Sequence, residues 1–444
     1  MTEDIRSLLA RMEESGDLKR IKEEVDPRHI SPLVEKNRKE CAVLIEKVKG
    51  YDIPVLSGFM GTRKRLAISM GAPEAELGHF FMDRLNDRIP PVIVEDAPCQ
   101  EVVKTGAEVD LTEFPIPLHH KKDGGPYISA GVVVSRSEDG VRNGGMYRLM
   151  YRKPNETSID LVSPSDMRFF YQRALDRGEP LPIAIAVGCH PLDMLATGYQ
   201  AVPGDDEFGI AGSFHGEPVQ LVKCKTVDLE VPANAEFVME GELEPIGWTA
   251  DEGRFGDFTG HECSIRWNPT FKIKAITRRK APIFYHLQMP WENMWMTGPQ
   301  MEAMGYRVLK EASIQVKSVY ATPGSCCFWH LVASIDKRPG EGKNAVMALL
   351  SLSAVKMVIV TDSDVDIFDP VALDRALTFR VQADKDVMII SGGRGKHLDP
   401  SVMMSKLPKG TLPTTAKMGI DATIPEGVDL SEYELSEYPW MDEV

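Results

Sequence analysis

The chain has 444 residues, more than one hydrophobic core can use and enough for about three domains at roughly 150 residues each. Its net charge of −15 comes with no run of Lys or Arg, which argues against a nucleic-acid surface. Seven scattered cysteines form no C-x-x-C pair, and the most apolar stretch, 346–360, is broken by Ser351, Ser353 and Lys356. Reduced thiols, no membrane span, no signal peptide and a soluble, cytoplasmic protein are therefore expected.

In chain order, residues 4–14 space Ile5, Leu8, Leu9 and Met12 as one face of an amphipathic helix, and Gly16 ends it. A strand follows at 18–25 and a short one at 92–94, before the proline-rich 114–117 marks a boundary. From 125 to 286, β-branched stretches at 131–135, 183–187, 219–222, 271–277 and 283–287 alternate with glycine-rich turns. That texture predicts a β-rich, barrel-like middle domain with one helix, at 166–177. After 298 the pattern turns α/β: helices at 343–354 and 370–380 alternate with strands at 357–361 and 387–390, a βαβ texture that predicts parallel pairing. The tail from 425 is acidic and carries Pro439-Trp440.

Three short segments hold residues able to do chemistry. In Glu252-Gly253-Arg254-Phe255-Gly256-Asp257, two glycines let the backbone turn tightly enough to aim both carboxylates at one point, an arrangement suited to proton transfer. Read alone, it is more simply a solvated turn between strands. Asn143-Gly144-Gly145-Met146-Tyr147-Arg148 offers close backbone approach and a guanidinium fork for a carboxylate or phosphate, or else a plain hairpin turn. Glu207 lies in an acidic stretch that reads most simply as a solvated loop. Asp362-Ser363-Asp364-Val365-Asp366 opens like a calcium loop but has Ile367 where glycine is required and Leu373 where the distal Glu is expected, so calcium is set aside. His119-His120 are neighbours, which on a strand would point apart.

The order of these segments is more telling than any one of them. Asn143-x-Gly145-x-Tyr147-Arg148, Glu207 ahead of Gly216-Glu217-Pro218, Glu252-Gly253-x-Phe255-Gly256-Asp257, then Lys356 opening an apolar strand into Asp362-x-Asp364, resembles the UbiD decarboxylases over nearly the whole chain. Leu229-Glu230-Val231-Pro232-Ala233 and 417–423 add to the likeness.

The resemblance implies an α/β (α+β) fold. Its parts would be an N-terminal α/β domain (1–115), a flavin-reductase-like split β-barrel binding prenylated FMN (116–300), a C-terminal α/β oligomerisation domain (301–425) and a tail (426–444). It implies reversible, non-oxidative decarboxylation of an aromatic, heteroaromatic or α,β-unsaturated acid, a flavin prenyltransferase as cofactor supplier, and a homodimer or higher homo-oligomer. Position by position it implies Arg148, Glu252 and Asp257 as the catalytic network, with Asp257 the main proton donor, needing a raised pKa, and Glu252 its partner. Asn143, Met146, Arg148, Thr197, Glu207 and Lys356 would contact the cofactor. Asn143 and Glu207 would ligate Mn2+ or Mg2+, while Ala196, Thr197 and Tyr199 would hold K+. One departure stands out: the family's third metal ligand is a histidine five residues before a tyrosine, and here Tyr171 is preceded by Asp166, either a substitute ligand or a helix cap.

His286, Trp291, Trp295 and Met296 fall where the family covers its substrate, which favours a flat acid. Arg394, Lys396 and His397 instead suit a phosphate, so a phosphorylated aliphatic acid of the anhydromevalonate-phosphate type is the alternative. A plain FMN oxidoreductase and a non-catalytic subunit are the readings from other classes.

Overall fold

The computed structural model describes residues 3–202, 204–403, 411–428 and 430–436; Pro439-Trp440 and the end of the tail lie outside them. The chain divides into two compact units, Met1–Gln300 and Met301–Val444, with separate sheets.

The first unit opens with helix Ile5–Glu14, where Asp4 accepts from the backbone N–H of Arg6 and Ser7, and Ile5, Leu8 and Met12 are buried. Strand Leu18–Val25 follows and joins a four-stranded sheet in the order Leu18–Val25, Ala42–Val48, Val55–Ser57, Phe284–Tyr285. The stretch 283–287, expected in the barrel, thus pairs in parallel with Val55–Ser57 instead. Its short, fully buried pattern announces a strand but says nothing of its partner.

The barrel is a closed ring of six antiparallel strands: Tyr127–Arg136, Arg142–Lys153, Glu156–Ile159, Thr270–Arg278, Phe237–Leu243 and Leu181–Val187, which returns to the first. Closure leaves no open edge within the ring, and Val102–Thr105 adds to one side of it. The strand expected at 219–222 is Gln220–Lys223, outside the barrel, between Val92–Val94 and Glu230–Pro232.

Two helices unmarked in the sequence pattern pack against each other and against strand Arg142–Lys153: Pro191–Gly198 and Glu207–His215. Gly209 and Gly212 make the latter look like a loop. Packing explains Gly212, because a Cβ there would stand 2.3 Å from the Ile89 carbonyl oxygen. Close approach overrides propensity.

In the second unit the sheet order is Val316–Ala321, His330–Ile335, Met357–Asp362, Thr414–Ala422, Val387–Arg394. The three central strands are parallel, with helix Glu341–Leu350 crossing between the first two of them. The strand expected at 387–390 is antiparallel to Thr414–Ala422, contrary to the parallel reading. Asp364 is taken up by a two-pronged ion pair with Arg380 (3.0 and 2.6 Å). Among the described residues, no helix is long and apolar enough to cross a membrane.

Candidate active site

The loop 252–257 is held in shape by segment 120–127. Gly124 N–H donates to the Arg254 carbonyl (2.8 Å), Gly256 N–H to Asp123 Oδ1 (2.8 Å), and Tyr127 O–H to the Gly253 carbonyl (3.2 Å). A Cβ at Gly253 would lie 2.4 Å from Gly124 Cα, and one at Gly256 would lie 2.2 Å from the His120 ring. Both glycines therefore answer to close backbone approach. His119 and His120 sit in an irregular segment rather than on a strand.

The turn so formed delivers both acids to one guanidinium. Arg148 Nε donates to Glu252 Oε1 (2.7 Å) and Nη1 to Asp257 Oδ2 (2.9 Å). A third carboxylate, Asp160, meets Nη2 at 2.9 Å, and the Cys263 sulfur lies 3.6 Å from the same nitrogen. Phe255 lies under the guanidinium, 4.9 Å from its carbon. Asn268, fully buried, donates from Nδ2 to Glu252 Oε2 and accepts the Leu161 N–H through Oδ1 (3.1 Å). Asp160, Asn268 and Cys263 were invisible to sequence reasoning. They arrive from a strand end and from cross-strand register, Asn268 lying on the strand that pairs with Ala250–Glu252.

Burial would pull the Arg148 proton affinity down, but Glu252, Asp160 and Asp257 outweigh it and hold the guanidinium well above its ordinary value. Burial pushes Glu252 above the ordinary carboxylate range; Arg148 opposes that rise and the Asp160 charge reinforces it. Behind Phe255, His119 packs edge-on against it (centroids 5.5 Å apart) and against His286 (4.3 Å). Burial keeps both imidazoles neutral, His286 down to about 4.

Five residues back on the same strand, Asn143 Nδ2 donates to Glu207 Oε1 (3.0 Å) and Gly144 N–H to Glu207 Oε2 (2.9 Å). Asn143 is thus inside the barrel strand, not in a hairpin turn, and Glu207 is a buried residue of helix Glu207–His215 rather than a solvated loop acid. A Cβ at Gly144 would strike Thr197 Cγ2 at 2.9 Å. Burial raises Glu207 to about 7, against the opposing Gly144 N–H. Asn143 Oδ1 is buried and accepts no hydrogen bond from any described residue. A bare amide oxygen beside a buried carboxylate fits a hard divalent cation, whose other ligands are commonly phosphate oxygens and water. No group of three or more His, Cys, Asp or Glu among the described residues forms a metal cage on its own.

Asp166 is exposed and shares with Asn143 the lining of a cavity of about 600 Å3. It is the first residue of its helix; the cap is Ser165, whose Oγ accepts the Arg168 N–H. Ala196 and Thr197 lie in the last turn of helix Pro191–Gly198, and Tyr199 is its C-cap. Carbonyl oxygens at a helix C-terminus suit a cation. Met146 and Met296 flank Gly198, within 3.9 and 3.6 Å of a Cβ built there. Trp291 is turned away to stack on Arg38 (3.5 Å) and to donate to Glu35 (2.8 Å). In the second unit Lys356 Nζ pairs with Asp399 (2.7 Å), while Lys396 lies over the Phe328 ring (5.7 Å) and Arg394 and His397 are exposed.

Comparison with known proteins matches three consecutive models of one family, the UbiD 3-octaprenyl-4-hydroxybenzoate carboxy-lyases: the N-terminal domain at 9–85, the Rift-related domain at 92–293 and the C-terminal domain at 294–422. Anhydromevalonate phosphate decarboxylase of Methanothermobacter thermautotrophicus is 36% identical over 389 residues, covering 86% of this chain and 88% of the relative. The UbiD-class enzyme HmfF from Pelotomaculum thermopropionicum, solved with FMN, superposes with a TM-score of 0.93 at 36% identity over 100% of this chain and 99% of its own. An evolved dimeric form of HmfF, solved with prFMN, gives 0.89 at 35%, covering 99% and 98%. Apo Klebsiella pneumoniae 3,4-dihydroxybenzoic acid decarboxylase (AroY) gives 0.90 at 26%, covering 99% of each chain.

Proposed function

The chain belongs to the UbiD family of decarboxylases, and on that premise we propose that it releases CO2 reversibly from an aromatic, heteroaromatic or α,β-unsaturated carboxylic acid with prenylated FMN as cofactor. The observation that carries this reading is the buried Arg148 guanidinium held by Glu252 and Asp257, because a cation bounded by acids can both hold a carboxylate and supply the proton that replaces it. The cofactor, when bound, supplies the electron sink that takes up the pair left by departing CO2.

The chain's own residues supply placement and proton transfer. Arg148 orients the substrate carboxylate and keeps Glu252 ionised once the proton is gone. Asp257, whose side chain is more accessible than that of Glu252, delivers the proton to carbon, with Glu252 its partner. Asn143 and Glu207 hold a divalent ion, Mn2+ or Mg2+, against the cofactor phosphate. Asp166 completes that set in place of the family's histidine. Ala196, Thr197 and Tyr199 offer backbone oxygens to K+, Met146 forms part of the apolar wall and Lys356 answers the phosphate charge. In domain terms, 1–115 precedes the cofactor-binding barrel of 116–300 in sequence and 301–425 follows it, the C-terminal domain joining protomers into a dimer or larger assembly. A flavin prenyltransferase supplies the cofactor.

A second substrate class is favoured by one observation: the relative named for anhydromevalonate phosphate is 36% identical over 86% of the chain. A phosphorylated, aliphatic unsaturated acid is therefore the alternative, with Arg394, Lys396 and His397 as the basic residues able to answer its phosphate.

The test is mass spectrometry and absorbance of protein co-expressed with a flavin prenyltransferase in the presence of Mn2+ and K+, followed by CO2 release and H/D exchange on aromatic and phosphorylated acids. Bound prenylated FMN with turnover supports the reading. Plain FMN without dependence on Glu252 would move the assignment to an oxidoreductase, and no flavin at all would move it to a non-catalytic subunit.

A further inference from the structure

We propose that Asp160 is a positioning residue that makes the Arg148 site a proton store: three carboxylates on one guanidinium keep a proton among them, on Glu252, and it is this proton that replaces CO2 on the substrate carbon. The inference deepens the decarboxylase reading and rests on it for the use of the proton, though not for its presence.

The geometry shows more acid than an orienting clamp needs. Of the five N–H groups of Arg148, three go to Glu252, Asp257 and Asp160 at 2.7–2.9 Å and a fourth faces the Cys263 sulfur. With all three acids ionised the cluster carries two net negative charges around one positive charge. Glu252 and Asp257 are 1% and 8% exposed. Carboxylates crowded into a buried site do not all ionise together. A substrate carboxylate would add a third net negative charge, so holding a proton in advance also admits the substrate.

The other groups facing Glu252 decide where the proton sits. Tyr127 comes from the first barrel strand, Arg266 lies opposite Glu252 in the short ladder, and Asn268 donates to Glu252 Oε2. Asn268 and Arg148 favour the anion. Protonation makes Oε2 a donor, so Asn268 must present its oxygen instead and release the Leu161 N–H. Burial and the Asp160 charge push the other way. Asp160 is fixed for this role by its backbone N–H to the Arg148 carbonyl (3.2 Å) and by the Val162 N–H on Oδ1 (3.2 Å).

The step balances. The bond between the substrate carbon and its carboxylate breaks, CO2 leaves neutral, and the electron pair stays with the substrate and the electron sink. Glu252 then passes its proton to Asp257, which delivers it to carbon. Solvent restores the proton on Glu252, and the net reaction is RCOO− + H+ → RH + CO2.

The test is infrared titration of the carboxylic-acid C=O band in the purified full-length protein, which needs neither flavin nor substrate. In the Glu207→Gln background, which removes the other carboxyl raised by burial, the protein is expected to show a protonated carboxyl persisting above the ordinary glutamate range, and Glu252→Gln to lose it. Asp160→Asn is expected to lower its midpoint by about one pH unit, the size of one neighbouring like charge. Asn268→Asp adds a fourth acid and is expected to raise it, which decides the matter if Asp160→Asn fails to fold. A midpoint unmoved by Asp160→Asn, or by Asn268→Asp where only that variant folds, overturns the proposal. Failure to load prenylated FMN would sink the functional reading while leaving this titration intact. In the loaded enzyme, the same one-unit displacement of the pH–rate limb separates a proton-setting role from a merely structural one.

Discussion

The Arg148 cluster and the Asn143–Glu207 pair stand on one barrel strand, five residues apart, and differ in how complete they are. Around Arg148 every partner comes from the chain: three carboxylates, a sulfur, a ring face and the Asn268 amide. At Asn143 a buried amide oxygen goes without a donor among the described residues, and burial raises the neighbouring carboxylate to about 7. On the proposed reading, the first constellation works by shifting a proton among partners the chain itself supplies. On the same reading, the second carries an unmet polar atom and a buried acid that a cation would satisfy.

The sharpest way to break this comparison is Arg148→Met. It strands two buried carboxylates and a partly buried third, and the expected cost is about 3–5 kcal/mol of stability with more than a thousandfold loss of turnover. Urea unfolding and CO2 release would measure both, and a stable, active variant would show the cluster to be ornamental. Next comes Glu207→Gln, expected to weaken flavin and Mn2+ retention about 10–100-fold while leaving the infrared band of Glu252 in place. Equal damage to both readouts would mean that the two regions are one.

The pH dependence should separate them further. Glu207 sits at about 7 in the fold against an ordinary 4.5, so the folded state holds a proton that the unfolded chain has lost between those values. Stability of the metal-free protein is then fully present below about 4.5 and falls as pH rises to about 7, by at most ~3 kcal/mol. Thermal melts of wild type and Glu207→Gln from pH 5 to 8 check this, with a flat difference counting against it. The histidines behind Phe255 act oppositely. With His286 depressed to about 4, its contribution is present above the usual histidine value near 6.5 and is lost as pH falls toward 4. His286→Asn should flatten that acid limb. The smallest effect is expected of Gly144→Ala, where a methyl group meets Thr197 Cγ2 at 2.9 Å: a loss of about 1–3 kcal/mol, checked by melting, together with a few-fold weaker flavin.

Part of the Arg148 cluster was readable because it is local, while Arg148 itself, more than a hundred residues away in sequence, was joined to it only by the family resemblance. Glu252 and Asp257 share one glycine-bearing loop, and the two glycines sit where segment 120–124 presses on the backbone. Asp160 and Asn268 were unreadable for the opposite reason, since nothing in their local sequence tells which strand they meet. The same limit hid the partner of Phe284–Tyr285, whose pairing with Val55–Ser57 spans more than two hundred residues. Helix Glu207–His215 was missed because its Gly212 meets a tertiary neighbour, Ile89, which no propensity scale contains. In the second unit, the apolar run at 357–362 announced a strand, while the direction of Val387–Arg394 depended on a return path that periodicity does not encode.

Asn143 and Arg148 are fixed points on one extended strand of a closed ring, and that makes the strand a gauge. Five residues of β-backbone span roughly 16 Å, a length set by covalent geometry that side-chain rearrangement cannot alter. Inserting or deleting a single residue between them would change the length and turn one end to the opposite face, so the interval is intolerant in a way that neither endpoint is alone.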